Sequence, residues 1–140
     1  MDFSLTLEGI TMPTFRKEER LSRKKIIEQL FSEGKRFFVP GFKVAWLPVE
    51  LNKELPVQIL ISVPKRNFKR AVDRNLLKRR IREAWRLNKS GLYDYLHENN
   101  KTFVLSLIYL SKEIEAYKEI EGKILLILQR LQSTNEKTSW

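Results

Sequence analysis

A chain of 140 residues with 42% apolar side chains is long enough for one domain with a modest core. It has no cysteine and one histidine, which excludes disulfides, cysteine-ligated zinc, thiol nucleophiles and a histidine metal cluster. Its formal net charge of +10 favours a polyanionic partner, such as nucleic acid or an anionic membrane surface.

The first half of the chain predicts a helix followed by two strands. Residues 1–14 show little pattern and are expected to form a loose tail. A helix is predicted after Ser22, which can cap it, and Gly34 would end it. Residues 42–47 and 57–63 alternate between inward and outward positions, which is typical of strands. Because the connection between them is short, an antiparallel hairpin is expected.

The second half begins with a basic loop over residues 64–69 and a helix over about Ala71–Leu87. A glycine and an asparagine pair between residues 88 and 100 predict a break in regular structure. The apolar run at 102–110 is typical of a central strand, and Ser111 is a suitable N-cap for a long final helix. The predicted order is α-β-β-α-β-α, an α+β sandwich with helices packed on a small central sheet.

The positive charge is concentrated in the segment Lys65–Arg86. This segment holds ten of the chain's 27 basic residues and two of its 17 acidic residues, which leaves the rest of the chain nearly neutral. Like charges at this density repel one another along a helix. A phosphate backbone would relieve that repulsion and release counterions. The pattern therefore favours a nucleic-acid contact over the simpler alternative of an ordinary basic surface helix.

Helical geometry divides this segment into an apolar anchor and a polar face. The anchor residues are expected to pack on the core, as is Trp46 on the first strand. Arg74 falls near the boundary and is expected either to lie along it or to reach a groove beside the sheet. The anchor consists of Leu77, Ile81, Ala84 and Trp85, and the polar face of Asn75, Lys78, Arg79, Arg82 and Arg86.

The run Val63–Arg86 resembles the signature of the bacterial ribonuclease P protein component. At its centre is the pattern Arg-Asn-x-x-Lys-Arg-x-x-Arg-Glu, matched by Arg74, Asn75, Lys78, Arg79, Arg82 and Glu83. The stretch from Phe15 to Leu21 is similar to the family's Phe-x-x-x-x-Arg-Leu start. The resemblance covers about residues 15–131, so an RNA-binding domain of this family is expected there. A flexible tail at 1–14 and a polar tail at 132–140 would flank it.

This resemblance implies the protein subunit of a ribonucleoprotein endoribonuclease, whose RNA subunit uses Mg²⁺ to remove the 5′ leader from precursor tRNA. It also implies a left-handed β-α-β crossover, against the general right-handed preference. We expect one protein per catalytic RNA, and no catalytic residue, metal or cofactor on the protein itself. The residues expected to contact the catalytic RNA are Lys65, Arg66, Lys69, Arg70, Arg74, Asn75, Lys78, Arg79, Arg82 and Arg86.

The resemblance further implies a cleft between the first helix and the sheet that holds the single-stranded leader. Ile27, Phe31, Lys43 and Ala45 are the expected cleft residues. Ile27 and Ala45 stand where many relatives have aromatic residues, which leaves fewer surfaces for base stacking. Leader recognition is therefore expected to depend on Lys43 and on backbone contacts. Ordinary core packing is the alternative role for Phe31.

Other functions fit the sequence less well. The acidic residues are scattered and His97 lies in a polar context, so a stand-alone nuclease lacks a catalytic set. The predicted strands argue against a DNA-binding helix module, whereas a generic binder of structured RNA stays open as the alternative. No apolar run reaches the roughly 18 residues that cross a bilayer, and no signal-peptide pattern is present. We therefore expect no membrane partner and a cytoplasmic location.

Overall fold

The computed structural model describes residues 6–7, 10–11, 15–52 and 54–137. Among these residues, no helix combines the length and hydrophobicity that a membrane crossing requires. The elements in chain order are β1 (Thr6–Leu7), β2 (Ile10–Thr11), a 3-10 turn (Lys17–Glu19), α1 (Lys24–Glu33), β3 (Lys35–Val39), β4 (Phe42–Pro48), β5 (Val57–Ser62), α2 (Ala71–Asn88), α3 (Ser90–Glu98), β6 (Phe103–Tyr109) and α4 (Tyr117–Lys137).

Four strands form the main sheet in the order β3-β4-β6-β5, and β1 and β2 form a separate antiparallel pair. β4 is antiparallel to both β3 and β6, whereas β5 and β6 are parallel. The predicted antiparallel pairing of β4 with β5 is therefore wrong. β6 lies between them because its side chains are almost all buried on both faces, as suits a central strand.

β3 is the hairpin partner of β4, and it was not among the elements predicted from the sequence. The turn at Pro40 and Gly41 joins the two strands, and Gly41 has a φ of +83°, a region that favours glycine. Gly34 connects α1 directly to β3. A Cβ atom at Gly34 would clash with the carbonyl oxygen of Leu30, so only glycine fits this close junction. The chain therefore passes from helix to strand without a loop.

The main core lies between one face of the sheet and helices α2, α3 and α4. The predicted anchor of α2 is confirmed, since Leu77, Ile81, Ala84 and Trp85 are completely buried. Trp46 is also buried, as predicted. The parallel strands β5 and β6 are joined through α2 and α3, which forms the expected β-α-β crossover. Its left-handed sense stays a prediction of the family resemblance.

The opposite face of the sheet is covered in part by α1. Leu30 of α1 packs in a second buried cluster with Ala45 of β4, Val104 of β6 and Leu21. The structure therefore places Ala45 beneath α1, on the side of the sheet that faces the first helix, and its role in the leader cleft stays a prediction. The small side chain allows the close contact with α1, which is why its exposed fraction is only 3%.

A third helix replaces the predicted break between residues 88 and 100. Leu92, Tyr93 and Leu96 of α3 recur at helical spacing and are buried in the main core. Gly91 is exposed, and a Cβ atom there would meet no side chain and no backbone beyond its own helix and chain neighbours. Tertiary packing thus overrides the low helix propensity of glycine, which costs about 1 kcal/mol relative to alanine.

Two predicted N-cap residues lie ahead of the helices they were expected to cap. Arg23, not Ser22, precedes the first residue of α1 and makes no side-chain cap.

Ser111 does not cap α4, which begins at Tyr117. Its hydroxyl accepts a hydrogen bond from the backbone N–H of Glu113 at 3.2 Å in a local turn. The hydroxyl of Tyr109 holds this turn by donating to the carbonyl oxygen of Glu113 at 2.6 Å. α4 continues to Lys137 and so includes the first residues of the expected polar tail.

A buried ion pair attaches the segment before α1 to the helices. The Nζ of Lys89 lies 2.6 and 2.7 Å from the carboxylate oxygens of Glu19, and the hydroxyl of Tyr93 donates to the same carboxylate at 3.0 Å. Glu19 is 1% exposed. Burial raises the pKa of Tyr93 well above its usual value, and Glu19 adds to that rise. We call this group the Glu19 clamp, and it fixes residues 15–21 against the junction of α2 and α3.

Replacing the buried carboxylate should destabilise the protein strongly. Glu19→Gln removes the carboxylate that pairs with the buried Lys89 ammonium, and breaking a buried ion pair typically costs about 3–5 kcal/mol. Urea denaturation measures this loss as a lower free energy of unfolding. Glu18→Gln is the matched control, because Glu18 is largely exposed and its change should stay within about 0.5 kcal/mol. Equal stability of the Glu19→Gln variant and the parent chain would contradict the importance of the clamp.

Candidate nucleic-acid interface

The basic loop before α2 is held by a buried aromatic side chain. Phe68 is 6% exposed and its ring packs 5.9 Å from that of Tyr109. The backbone N–H groups of Asn67 and Phe68 both donate to the carbonyl oxygen of Pro64, which closes the loop. Four predicted contact residues are consequently exposed on a loop that these contacts hold in place. They are Lys65, Arg66, Lys69 and Arg70.

Arg74 braces this loop against the first turn of α2. Its Nη1 donates to the carbonyl oxygens of Phe68 and Lys69 at 2.8 and 2.9 Å. From the sequence, Arg74 is expected either at the boundary of the anchor of α2 or in a groove beside the sheet. The structure shows Arg74 at the boundary, where it binds backbone carbonyls of the protein itself. The helix pattern alone could not reveal this bracing, because it depends on how the preceding loop folds back.

The remaining polar residues of α2 differ in how free they are to meet a ligand. Asn75 and Arg79 are exposed one turn apart and line a shallow depression of about 390 Å³ with Val72. Lys78 is half-buried beside them. The four exposed basic residues of the loop come directly before this helix. We call this set, Lys65, Arg66, Lys69, Arg70, Asn75, Lys78 and Arg79, the basic surface.

Other arginines of the segment bind groups within the protein. Arg86 pairs with Glu83 one turn earlier, with its Nε 3.0 Å from a carboxylate oxygen, and this hydrogen bond raises the pKa of Arg86. Arg80 donates to the carbonyl oxygen of Glu115 at 2.6 Å and so connects α2 to the segment before α4. The predicted contact residue Arg86 is thus already paired. Arg82 lies one turn along α2 from Lys78 and Arg79, and with Arg20 it lines a cavity at the edge of β5.

The expected cleft residues on the α1 side of the sheet fall into two groups. Ile27 is half-buried against the cluster beneath α1, and Ala45 is inside that cluster. Phe31 is 39% exposed, so part of its ring is open to solvent. Packing in the core, the alternative role for Phe31, accounts for only the buried part of the ring. Lys43 is half-buried on the same side of the sheet. Ala45 is therefore covered, whereas Ile27, Phe31 and Lys43 keep some exposed surface.

β3 contributes two further side chains to this surface that sequence reasoning missed. In the strand register Phe38 lies opposite Lys43 and Arg36 lies opposite Ala45, so both project toward α1. Phe38 is 60% exposed, and Arg36 donates to the carbonyl oxygen of Phe31. The signal that could have identified this strand is the run of strand-favouring residues at 37–39 between Gly34 and a Pro-Gly turn.

One row of side chains crosses all four strands of the sheet on the α1 side. The register aligns Phe38 with Lys43, Lys43 with Ile108, and Ile108 with Ser62. All four are at least partly exposed, so α1 leaves this row uncovered. We call Phe38, Lys43, Ile108 and Ser62 the sheet row. With Phe31 beside it, the row combines aromatic surfaces with a cation, which suits an unpaired nucleic-acid strand.

The part of the chain that the structure describes contains no group of three or more His, Asp or Glu side chains arranged to hold a metal ion. His97 is exposed on α3.

Comparison with known proteins identifies the family. The family model for Ribonuclease P matches residues 15–131 of the chain. A ribonuclease P protein component of Porphyromonas gingivalis strain W83 is 37% identical over 121 residues, which cover 85% of this chain and 88% of the relative. One from Petrotoga mobilis is 30% identical and covers 86% of this chain and 97% of the relative.

Solved structures agree in fold. The ribonuclease P protein of Thermotoga maritima superposes with a TM-score of 0.63 at 25% identity, covering 79% of this chain and 96% of that one. The Staphylococcus aureus ribonuclease P protein gives a TM-score of 0.63 at 22% identity and covers 81% of this chain and 94% of that one. The family match, the identity to relatives over most of their length and the shared fold lead to one conclusion: the chain belongs to the ribonuclease P protein component family, the protein part of a tRNA-processing endoribonuclease whose partner is the ribonuclease P RNA.

Proposed function

We propose that this chain assists removal of the 5′ leader from precursor tRNA by binding two RNA elements at once. The observation that carries the proposal is the presence of two different surfaces on one rigid domain. The basic surface is rich in exposed cations, whereas the sheet row with Phe31 is aromatic and only lightly charged. A generic binder of structured RNA, the alternative function, needs only the first of these surfaces.

The basic surface suits the catalytic RNA. Arginine guanidinium groups bind phosphate oxygens bidentately, and lysines contribute mobile point charges. Asn75, beside Arg79, can both donate and accept hydrogen bonds and so can bind a ribose hydroxyl or a base edge. Arg74 supports this surface indirectly, because its hydrogen bonds to the carbonyls of Phe68 and Lys69 hold the loop in place.

The sheet row suits the single-stranded leader. Phe31 and Phe38 are exposed aromatic side chains on the α1 side, and bases of any sequence can stack on such rings. Lys43 lies directly between Phe38 and Ile108 in the register, where it can meet the backbone of a strand that crosses the sheet. Phe38 compensates for Ile27 and Ala45, which provide no aromatic surface.

In this proposal the RNA subunit and its Mg²⁺ perform the cleavage, and the metal ion would activate water and stabilise developing negative charge. The protein contributes affinity and positioning. We further propose that one protein binds each catalytic RNA and that the complex acts in the cytoplasm.

Reconstitution tests the proposed function. The purified protein alone should not cleave precursor tRNA, and its addition to the catalytic RNA of a relative such as Porphyromonas gingivalis should increase the rate of 5′ processing at low Mg²⁺. The positive charge of the protein should increase the rate most at low Mg²⁺, because few metal ions are then available to screen the RNA phosphates. Gel analysis of cleavage products measures the rate. A protein that binds RNA but gives no enhancement over RNA alone would favour the alternative function.

The basic surface should account for part of the salt dependence of binding to the catalytic RNA. Arg79→Gln removes one exposed charge and should reduce the slope of log Kd against log salt by about one unit. Fluorescence titrations at several salt concentrations measure this slope. Lys118→Gln, on the exposed side of α4, is the matched control and should leave the slope unchanged. An unaltered slope in Arg79→Gln would show that this residue does not meet phosphate.

Loss of the Phe38 ring should weaken leader binding selectively. Base stacking on an aromatic side chain is worth about 1–3 kcal/mol, so Phe38→Ala should weaken the affinity of the holoenzyme for precursor tRNA roughly fivefold or more. Affinity for tRNA without a leader and for the catalytic RNA should not change. Leu126→Ala, which truncates an exposed apolar residue of α4, is the control. Equal losses of affinity for substrates with and without a leader would show that Phe38 does not bind the leader.

A further inference from the structure

The two edge strands of the main sheet are covered in different ways. β5 forms one edge of the sheet and β3 forms the other. The segment before α1 covers the edge of β5, since Arg20 forms a parallel β-bridge with Ile59 and the backbone N–H of Leu21 donates to the carbonyl oxygen of Ile59 at 2.9 Å. No strand of the described residues pairs with the outer side of β3. An uncovered edge of this kind is a template for strand addition.

The outer side of β3 presents the backbone groups of Arg36 and Phe38. Val39 pairs with Phe42 directly beside the two-residue turn of the hairpin. Alternate residues of an antiparallel strand direct their backbone groups to the same neighbour. Every second residue of β3, counted back from Val39, therefore bonds to β4. The N–H and C=O groups of Arg36 and Phe38 point away from the sheet and are available to an added strand.

One side chain of α4 occupies this edge. The Nη1 of Arg130 donates to the carbonyl oxygen of Phe38 at 3.0 Å, and its guanidinium carbon lies 4.5 Å from the centre of the Phe37 ring. Phe37 belongs to the main core, so the guanidinium stacks on a ring that is fixed in place. Arg130 thus takes an acceptor of the edge and sets a positive charge where an added strand would lie.

We propose that Arg130 closes the edge of β3 and so prevents two copies of the chain from pairing through this strand. The occupant that fits the open edge is β3 of a second copy in antiparallel orientation. That orientation sets Arg36 opposite Phe38 of the second copy, and Lys35 opposite its Val39. A cation beside an aromatic ring is favourable, whereas like charges directly opposite one another are destabilising. Parallel pairing in register would align the two cations of each strand.

The pairing would be self-complementary because Phe37 would lie on the two-fold axis. Arg36 of each copy would then exchange backbone hydrogen bonds with Phe38 of the other. The carbonyl oxygen of Phe38 is one of the acceptors that this ladder needs, and Arg130 already fills it. The two charges of β3 and the proline after it also disfavour strand addition in general. They do not block the antiparallel pair, since that pair separates the charges.

Closure of this edge keeps one end of the sheet row accessible. Phe38 is the member of the row on β3, and a paired second copy would lie directly beside it. The second copy would then compete with a nucleic-acid strand for the space next to the Phe38 ring. This consequence for the leader rests on the proposed function, whereas the pairing of two copies does not.

Sedimentation of the full chain without RNA tests the role of Arg130. The parent chain should be monomeric over a series of concentrations. Arg130→Ala should dimerise with an affinity at least about tenfold higher, because a charge-assisted hydrogen bond no longer competes for the edge. Lys118→Ala, which removes an exposed cation of the same helix, is the control and should stay monomeric. An Arg130→Ala variant that sediments like the parent chain would overturn the proposal.

A proline in β3 separates strand pairing from association through another surface. Arg36→Pro removes an outward N–H group without removing a bond to β4, and edge strands tolerate proline. Combined with Arg130→Ala, it should return the chain to a monomer. Arg36→Ala combined with Arg130→Ala keeps the N–H group and should still dimerise. A dimer that persists with the proline, in a variant whose circular dichroism matches that of the parent chain, would contradict pairing through β3.

Cysteine cross-linking tests the orientation of the two strands and does not depend on the proline variant. The chain has no cysteine, so each introduced cysteine is unique. In the Arg130→Ala background, a mixture of Arg36→Cys and Phe38→Cys should form more disulfide-linked dimer than either variant alone. Cα atoms of directly opposed residues lie about 5.5 Å apart, within reach of a disulfide. Equal cross-linking in the mixture and in the separate variants would overturn the antiparallel pairing.

Binding of precursor tRNA to the reconstituted complex tests the consequence for the leader. The affinity measured with Arg130→Ala should fall as the protein concentration rises above the Kd of its dimer, and the parent chain should show no such fall. A variant that dimerises and still binds precursor tRNA with constant affinity would overturn this consequence. Because dimerisation is measured without RNA, failure of the edge proposal is distinguishable from failure of the proposed function.

Discussion

β6 is buried on both faces, and the positions of the other elements follow from that constraint. An apolar strand of this kind needs strands on both sides and helices above and below. β4 and β5 flank it, one antiparallel and one parallel. The parallel partner requires a long crossover, which α2 and α3 supply, and this crossover carries the charged segment to the edge of the sheet. α1 covers only part of the other face and leaves the sheet row open.

Arginines of α2 and the loop before it perform different tasks although they are close in sequence. Arg74 and Arg80 bind backbone carbonyls and Arg86 binds Glu83, so these side chains maintain local structure. Arg79 is exposed, and Arg82 faces a cavity. The completely buried anchor on the opposite side of the helix provides the hydrophobic contribution that holds so dense a set of like charges in one conformation.

The extent of α2, its buried anchor, the central strand and the concentration of charge could be predicted from the sequence, because each depends on a local period or count. The pairing of β4 with β3 and β6 could not, since it depends on which strand can tolerate burial on both sides. The helix over residues 90–98 was not predicted because it contains a glycine, and the short strand β3 was not predicted because it begins with two charged residues. In both elements tertiary packing overrides the local preference of these residues. Long-range contacts of Glu19 with Lys89, and of Arg20 with β5, leave no periodic signal.

Gly34 joins α1 to β3 without an intervening loop, and this junction makes the aromatic side chains Phe31 and Phe38 parts of one stiff corner. Their separation is set before any RNA arrives, and the hydrogen bond from Arg36 to the carbonyl of Phe31 braces it further. A preorganised pair of rings spends little conformational entropy on ordering when it captures a flexible strand. Under the proposed function, this helix-to-strand corner would present two aromatic side chains from a rigid backbone junction to the unpaired bases of the leader.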